Sequence, residues 1–215
     1  MAAPDLRDRL AELEVEHATL LSEIEAFHVE YLRRVGVIDV QVQALQARLA
    51  HDTPEAETAE RRYRESTAAM AAVPRPPAPP PSEDLKTLFR DAAKRMHPDL
   101  QADESGRGHA EAFMKQLNQA YAAGDADAIG NLVRQWETSP YAVANTPGSR
   151  PTPALTAAVE QAEARLAATR NSRLGQLMEE TFLASMQGRD LLQELRWNAE
   201  EALANARIRV TALDG

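Results

Sequence analysis

Apolar residues recur along the first part of the chain at steps that alternate between four and three. The series is Leu6, Leu10, Leu13, Leu20, Ile24, Phe27, Tyr31, Ile38, Val42, Leu45 and Leu49, with His17 at the position missing between Leu13 and Leu20. This spacing is typical of a coiled-coil seam and predicts a long helix that buries one narrow stripe. The phase slips by one residue within residues 31–35, which predicts a local discontinuity. Pro54 is expected to interrupt the helix, and residues 55–73 continue this N-terminal arm with a weaker stripe.

The last part of the chain, residues 154–215, is also predicted to be helical. Its early stripe contains Leu155, Val159, Ala162 and Leu166, and its later stripe contains Leu192, Leu195, Ala199, Ala202 and Ala206. Between the two stripes the phase wanders, and Gly175 and Gly188 weaken the helix further. Residues 1–73 and 154–215 therefore form two helical arms, neither of which buries its stripe alone. We expect the arms to pack against each other in an antiparallel coiled coil, and dimerisation is the competing solution.

Two segments of biased composition separate the arms from the middle of the chain. Residues 74–81, PRPPAPPP, favour an extended polyproline II conformation of ~3.1 Å per residue and form a semi-rigid linker. A ligand for an aromatic-lined groove is the less favoured interpretation of the same segment. Residues 138–153 are predicted to be a second linker from their Pro, Ser, Thr and Gly content.

Residues 82–137 are predicted to form a compact module of three helices. Ser82 can cap the first helix, whose apolar face comprises Leu85, Leu88, Phe89, Ala92 and Met96. This helix has to end before Pro98, because a residue that precedes proline avoids the α region. The second helix carries Phe113, Leu117, Ala120 and Tyr121, and a short third helix carries Ile129, Leu132, Val133 and Trp136.

Composition supports an all-α class and argues against two classes of binding partner. Hydrophobic residues make up 44% of the chain, but aromatic residues only 5%, and β-branched residues form no alternating runs. The net charge of −9 argues against a nucleic acid or an anionic membrane surface as partner. There is no cysteine, and we expect no cofactor. A start without the order of a signal peptide and the lack of a long apolar run lead us to expect a cytoplasmic protein.

His97 and Asp99 flank Pro98 where the first module helix ends, and they are the main candidates for chemistry. Catalysis by a His–Asp pair needs an oriented nucleophile and an oxyanion hole, and no such signal is present. The ligand spacings of metal sites and the phosphate-binding loop are also missing, so we predict neither a metal nor an enzyme. A plain loop and a docking element remain as the two interpretations.

The helix before this loop favours docking. Lys86, Arg90 and Lys94 lie four residues apart, on one strip of the helix, and Arg95 stands beside them. A basic strip in an acidic chain is either an ordinary solvated face or a surface that attracts an acidic partner.

Residues 88–100, LFRDAAKRMHPDL, and 112–121, AFMKQLNQAY, together resemble the J-domain of DnaJ-type co-chaperones. The resemblance implies that the module docks on a DnaK-type chaperone and stimulates its ATP hydrolysis. It also implies that His97, Pro98 and Asp99 form the stimulatory loop. The docking strip would consist of Lys86, Arg90, Lys94 and Arg95. The arms would then bind a client or complex that the sequence does not name.

Two departures from the J-domain pattern carry expectations of their own. Asp91 stands where the family usually has another basic residue, so we expect weaker docking. No short helix precedes the basic helix, and its packing role is either dropped or supplied by an arm or by the helix around Ile129 and Trp136. The competing hypothesis is a coiled-coil scaffold or adaptor whose J-like module no longer stimulates a chaperone.

Overall fold

The computed structural model describes residues 5–72, 80–101, 103–142 and 153–214. Within these ranges every regular element is helical, so the predicted all-α class is confirmed. The helices are α1 (Leu6–Tyr31), α2 (Val37–Leu49), α3 (Ala56–Ala71), α4 (Glu83–Met96), α5 (Glu104–Ala122), α6 (Ala126–Glu137), α7 (Pro153–Arg170), α8 (Arg173–Met186) and α9 (Leu191–Asp214). In the described ranges, none of these helices is both long and apolar enough to cross a lipid bilayer.

The predicted discontinuity in the N-terminal arm is present as a π-helical segment, Leu32–Gly36, between α1 and α2. A π turn contains an extra residue, so it absorbs a one-residue shift of the apolar stripe without ending the helix. A Cβ atom at Gly36 would lie 2.9 Å from Leu32 Cδ2 and 3.2 Å from the sulfur of Met70, which is why the smallest residue fits there. The interruption predicted at Pro54 falls between α2 and α3.

The chain divides into two compact units, and each arm contributes to both. Among the described residues, unit 1 comprises 5–23, 80–101, 103–142 and 153–172, and unit 2 comprises 24–72 and 173–214. The predicted division into residues 1–73, 82–137 and 154–215 therefore differs from the observed one, because the first part of each arm packs with the module. Most of the predicted linker 74–81, and residues 143–152 of the predicted linker 138–153, lie outside the described residues.

The core of unit 1 joins the module to α1. Helices α4, α5 and α6 contribute Leu85, Phe89, Ala92, Met96, Leu117, Tyr121, Ile129, Leu132 and Trp136 to it. Ala11, Val15 and Ala18 of α1 belong to the same cluster. Leu88, predicted to lie on the apolar face of α4, is instead 40% exposed. Both an arm helix, α1, and the helix around Ile129 and Trp136, α6, thus pack on the pair formed by α4 and α5.

A second cluster of unit 1 pairs α1 with α7 through Leu10, Leu13, Leu155, Val159 and Leu166. Residue numbers rise along both helices in their polar contacts, which join Arg9 to Glu163, Glu14 to Arg165, and His17 to Thr169. The two helices therefore run parallel.

Unit 2 is built on α2, α3 and α9. Val35, Ile38 and Val42 pack against Ala199 and Leu203 of α9. Residue numbers again rise along both arms in their contacts, from the pair Arg34 and Asp190 to the pair Gln41 and Arg207. The predicted antiparallel direction of the arms is therefore wrong within both units. Residues 55–73, predicted to continue the arm, contain α3, which turns back along α2, because Met70 of α3 lies beside Gly36. This additional reversal changes the direction in which the second arm meets the first.

Candidate functional site

His97 lies at the C-terminal end of helix α4. Local sequence signals determine where this helix begins and where it ends. Ser82 Oγ accepts a hydrogen bond from the Leu85 N–H at 3.2 Å and caps the first turn. At the other end His97 is extended, with φ −62° and ψ 131°, as the following Pro98 requires. Pro98 then begins a 3₁₀ turn, Pro98–Leu100, which fixes the position of Asp99.

Both nitrogen atoms of the His97 ring are engaged inside unit 1. Nδ1 accepts a hydrogen bond from the Asp99 backbone N–H at 3.2 Å. Because Nδ1 accepts, Nε2 carries the proton of the neutral ring, and it faces Glu14 Oε1 at 3.4 Å. His97 is only 5% exposed, whereas the side chain of Asp99 is 38% exposed. Of the two candidate residues, only Asp99 is therefore open to a partner in this structure.

Glu14 of α1 is the buried acceptor at this site. It is 6% exposed and also accepts a hydrogen bond from Arg165 Nη2 of α7. Burial acts to raise the pKa of Glu14, but the hydrogen bond with His97 and the charge of Arg165 outweigh it and hold the pKa below its ordinary value. Glu14 is therefore a carboxylate at neutral pH, and its burial is tolerated because it is paired from both sides.

The predicted basic strip is largely occupied by acidic side chains of the same unit. Lys94 Nζ lies 2.7 Å from Asp8 Oδ1 of α1. Lys86 Nζ lies 2.8 Å from Glu83 Oε1, one turn earlier on α4. The side chains of the two lysines are 28% and 27% exposed. Each lysine is thus both partly covered and partly neutralised.

The two arginines of the predicted strip differ from the lysines and from each other. Arg95 forms an ion pair with Glu137 at the end of α6, so it points to another side of α4 than Lys94 does. Arg90 has a buried Nε atom with no hydrogen-bond partner among the described residues. The structure therefore brings Lys86, Arg90 and Lys94 towards one edge and places Arg95 apart. Asp91, the residue expected to weaken docking, is exposed.

An open groove of about 600 Å³ runs beside the loop. One wall is the His97, Pro98 and Asp99 turn, and another is the outer face of α5, with Lys115 and Asn118. Glu14 and Arg165 close one side, together with other residues of α7. Among the described residues, no group of three or more metal-ligating side chains is found.

The helical hairpin under the loop is held by an aromatic pair. The rings of Phe89 in α4 and Tyr121 in α5 have centroids 4.7 Å apart, and both residues are almost fully buried. Two turns before Tyr121, in the middle of α5, Met114 lines the groove together with His97 from the end of α4, so α4 and α5 run antiparallel with the loop between them. Tyr121 Oη lies 2.7 Å from Thr19 Oγ1, which ties α1 to this hairpin.

Comparison with known proteins identifies no relative of this chain. No protein-family model matches the chain, and the searches of curated proteins and of solved structures also found no match. The site is therefore interpreted from its own residues. Its loop combines a buried histidine whose two ring nitrogens are engaged with an aspartate whose side chain is exposed.

Glu14 and Arg165 are the residues of this site that sequence analysis missed. Glu14 lies 83 residues before His97 and 151 residues before Arg165. Glu14 directly follows Leu13, so the sequence places it beside the apolar stripe of the first helix and indicates no partner for it.

Proposed function

We propose that the protein is a J-domain-type co-chaperone that docks on a DnaK-type chaperone and stimulates its ATP hydrolysis. The observation that carries the proposal is the His97-Pro98-Asp99 turn between two antiparallel helices, α4 and α5, joined by the Phe89–Tyr121 pair. That arrangement accords with the sequence resemblance, which rests on the same residues in both helices. ATP hydrolysis would take place in the partner.

Each residue of the turn has a distinct role in this proposal. Pro98 keeps the turn rigid, so that its neighbours meet the partner without a large loss of conformational entropy. Asp99 is exposed and offers a carboxylate for a charge-assisted hydrogen bond from a partner arginine. His97 completes the contact. Lys86, Arg90, Lys94 and Arg95 supply the positive charge that attracts an acidic docking surface.

The arms supply the second half of the proposed function. They bind a client or a complex and so bring the chaperone to it, either as a single chain or as a homodimer. We propose the cytoplasm as the compartment, where ATP is available to a DnaK-type chaperone. Large exposed apolar side chains on α8 and α9, including Phe182, Met186 and Trp197, support a role of this arm in binding another protein.

Single-turnover ATP hydrolysis by a DnaK-type chaperone tests the proposal. The rate is measured over a concentration series of the full chain and of His97→Gln. Gln keeps a polar side chain that can bond Glu14, so the fold is expected to survive, and circular dichroism checks that it does. Stimulation by wild type that is lost in His97→Gln supports the proposal. Equal rates with and without the full chain at every concentration, both for wild type and for a variant in which His97 is exposed, would contradict it.

A scaffold or adaptor is the second candidate function, and the burial of His97 favours it. A loop whose histidine is 5% exposed would serve packing alone if it never opens. In that case the chain would bind its client through the arms without changing ATP hydrolysis. Asp99→Ala is the discriminating variant, because an exposed carboxylate matters for docking and contributes little to packing.

A further inference from the structure

The residue on which the proposed function depends most is covered by parts of the chain outside the module. His97 is buried by Glu14 of α1 and faces the groove that Arg165 of α7 helps to close. Both of its ring nitrogens are already engaged, one by Glu14 and the other by the Asp99 backbone. A partner protein cannot contact the ring while these contacts persist.

One end of the basic edge of α4 is covered by the same helix, α1. Asp8 of α1 pairs with Lys94 near the end of α4, at 2.7 Å. Near the start of α4, Lys86 pairs with Glu83 of α4 itself, at 2.8 Å. Asp8 thus occupies the part of the basic edge near His97, where the acidic surface of a docking partner would otherwise be placed.

The attachment of α1 to the module is suited to release. Its apolar contacts with the module core use small side chains, Ala11, Val15 and Ala18. Its large side chains, Leu10 and Leu13, pack instead against α7. Less apolar surface is therefore buried between α1 and the module than a seam of leucines would bury.

We propose that α1 and α7 mask the His-Pro-Asp turn, and that the chaperone engages only molecules in which α1 has left α4. The effect on chaperone docking rests on the proposed function. The burial of His97 by α1 and α7 does not depend on it. In the closed form α1 packs on α4, in the open form it has left α4, and the two forms are in equilibrium. Because only the open form binds the chaperone, the apparent affinity falls as the fraction of closed molecules rises. A partner that binds α1 or α7 in competition with the module would raise the open fraction.

The release variant for testing this is Asp8→Lys combined with Glu14→Gln. The first change places two positive charges, at positions 8 and 94, against each other, and the second removes the buried charge that faces His97. Glu16→Gln is the matched control, because Glu16 lies on the same helix but is exposed. Circular dichroism and a thermal melt of each full chain show whether the variants remain folded.

Accessibility of His97 is the first readout and needs no partner. Diethyl pyrocarbonate modifies exposed histidines, and mass spectrometry of the digested chain gives the rate at each one. His51, with a side chain 83% exposed, is the internal reference. We expect His97 to react at least about tenfold more slowly than His51 in wild type and Glu16→Gln, as for an open form below 10%. In the release variant its rate should approach that of His51. Equal rates at His97 and His51 in wild type would overturn the mask.

Stimulation of a DnaK-type chaperone is the second readout. The release variant is expected to reach half-maximal stimulation at about a tenfold lower concentration than wild type, with the same maximum. If His97 becomes accessible without this shift, the regulatory inference is wrong, whereas the proposed function stands. If neither protein stimulates although His97 is accessible in the release variant, the proposed function fails and the mask does not regulate docking.

Discussion

Removal of the Tyr121 hydroxyl group tests whether α1 is an integral part of the folded module. Tyr121 Oη and Thr19 Oγ1 are 2.7 Å apart and join α5 to α1. The Tyr121 residue is 1% exposed, and its ring packs against Phe89, so Tyr121→Phe deletes the hydroxyl group and preserves the packing. Thr19→Val is the partner change, because valine has nearly the same shape as threonine and no hydroxyl group.

The expected magnitude follows from the surroundings of the two hydroxyl groups. A hydrogen bond between neutral groups contributes about 1 kcal/mol to stability, net of the bonds to water that it replaces. After Tyr121→Phe, the Thr19 hydroxyl can turn to a carbonyl one turn earlier in α1, so no buried group is left unpaired. We therefore expect each single variant to lower the free energy of unfolding by about 1 kcal/mol. The double variant should cost about the same, which gives a coupling energy of about 1 kcal/mol.

Urea denaturation of wild type, both single variants and the double variant measures this coupling. The dependence of the free energy on urea should be the same in all four proteins, since none of the changes alters the surface exposed on unfolding. If the two changes are additive to within about 0.3 kcal/mol, α1 does not meet α5 through this hydrogen bond. The mask over His97 would then lose its structural basis.

Two further predictions concern a pair of glycines and the buried carboxylate. Gly124 ends α5 with φ +70°, so Gly124→Ala should destabilise the protein by about 1 kcal/mol. Gly108 lies in open space within α5, so Gly108→Ala should instead stabilise it by about 1 kcal/mol, and thermal melts compare the two. Because the pKa of Glu14 is lowered in the folded chain, its contribution to stability is present above about pH 4.3 and is lost as the pH falls through the folded value. Urea midpoints between pH 3 and pH 7, as rough limits, should fall more steeply for wild type than for Glu14→Gln, and equal slopes would contradict the pairing of Glu14.

Features that depend on neighbouring residues could be predicted from the sequence. The cap at Ser82, the end of α4 before Pro98 and the break around Pro54 each follow from the covalent chemistry of one or two residues. The phase slip within residues 31–35 is equally local, and it corresponds to the π-helical segment Leu32–Gly36. These features needed no knowledge of what the helices pack against.

Features that depend on pairing between helices could not be predicted. An apolar seam shows that a helix has a partner but identifies neither the partner nor its direction, so the parallel course of α1 and α7 was missed. Ala11 and Ala18 join the module core, yet an alanine side chain is too small to mark a buried face by itself. The contact of Glu14 with His97 depends on the same unseen pairing, which is why the burial of His97 was not anticipated.

Single-turnover ATP hydrolysis by a DnaK-type chaperone shows whether the His97-Pro98-Asp99 turn acts on the chaperone and whether α1 masks it. It is measured with wild type, with the Asp8→Lys, Glu14→Gln release variant, and with both proteins carrying His97→Gln. We predict stimulation by wild type, stimulation at lower concentration by the release variant, and none by either protein with His97→Gln. Stimulation that persists after His97→Gln, or its absence from both wild type and the release variant, would contradict the account.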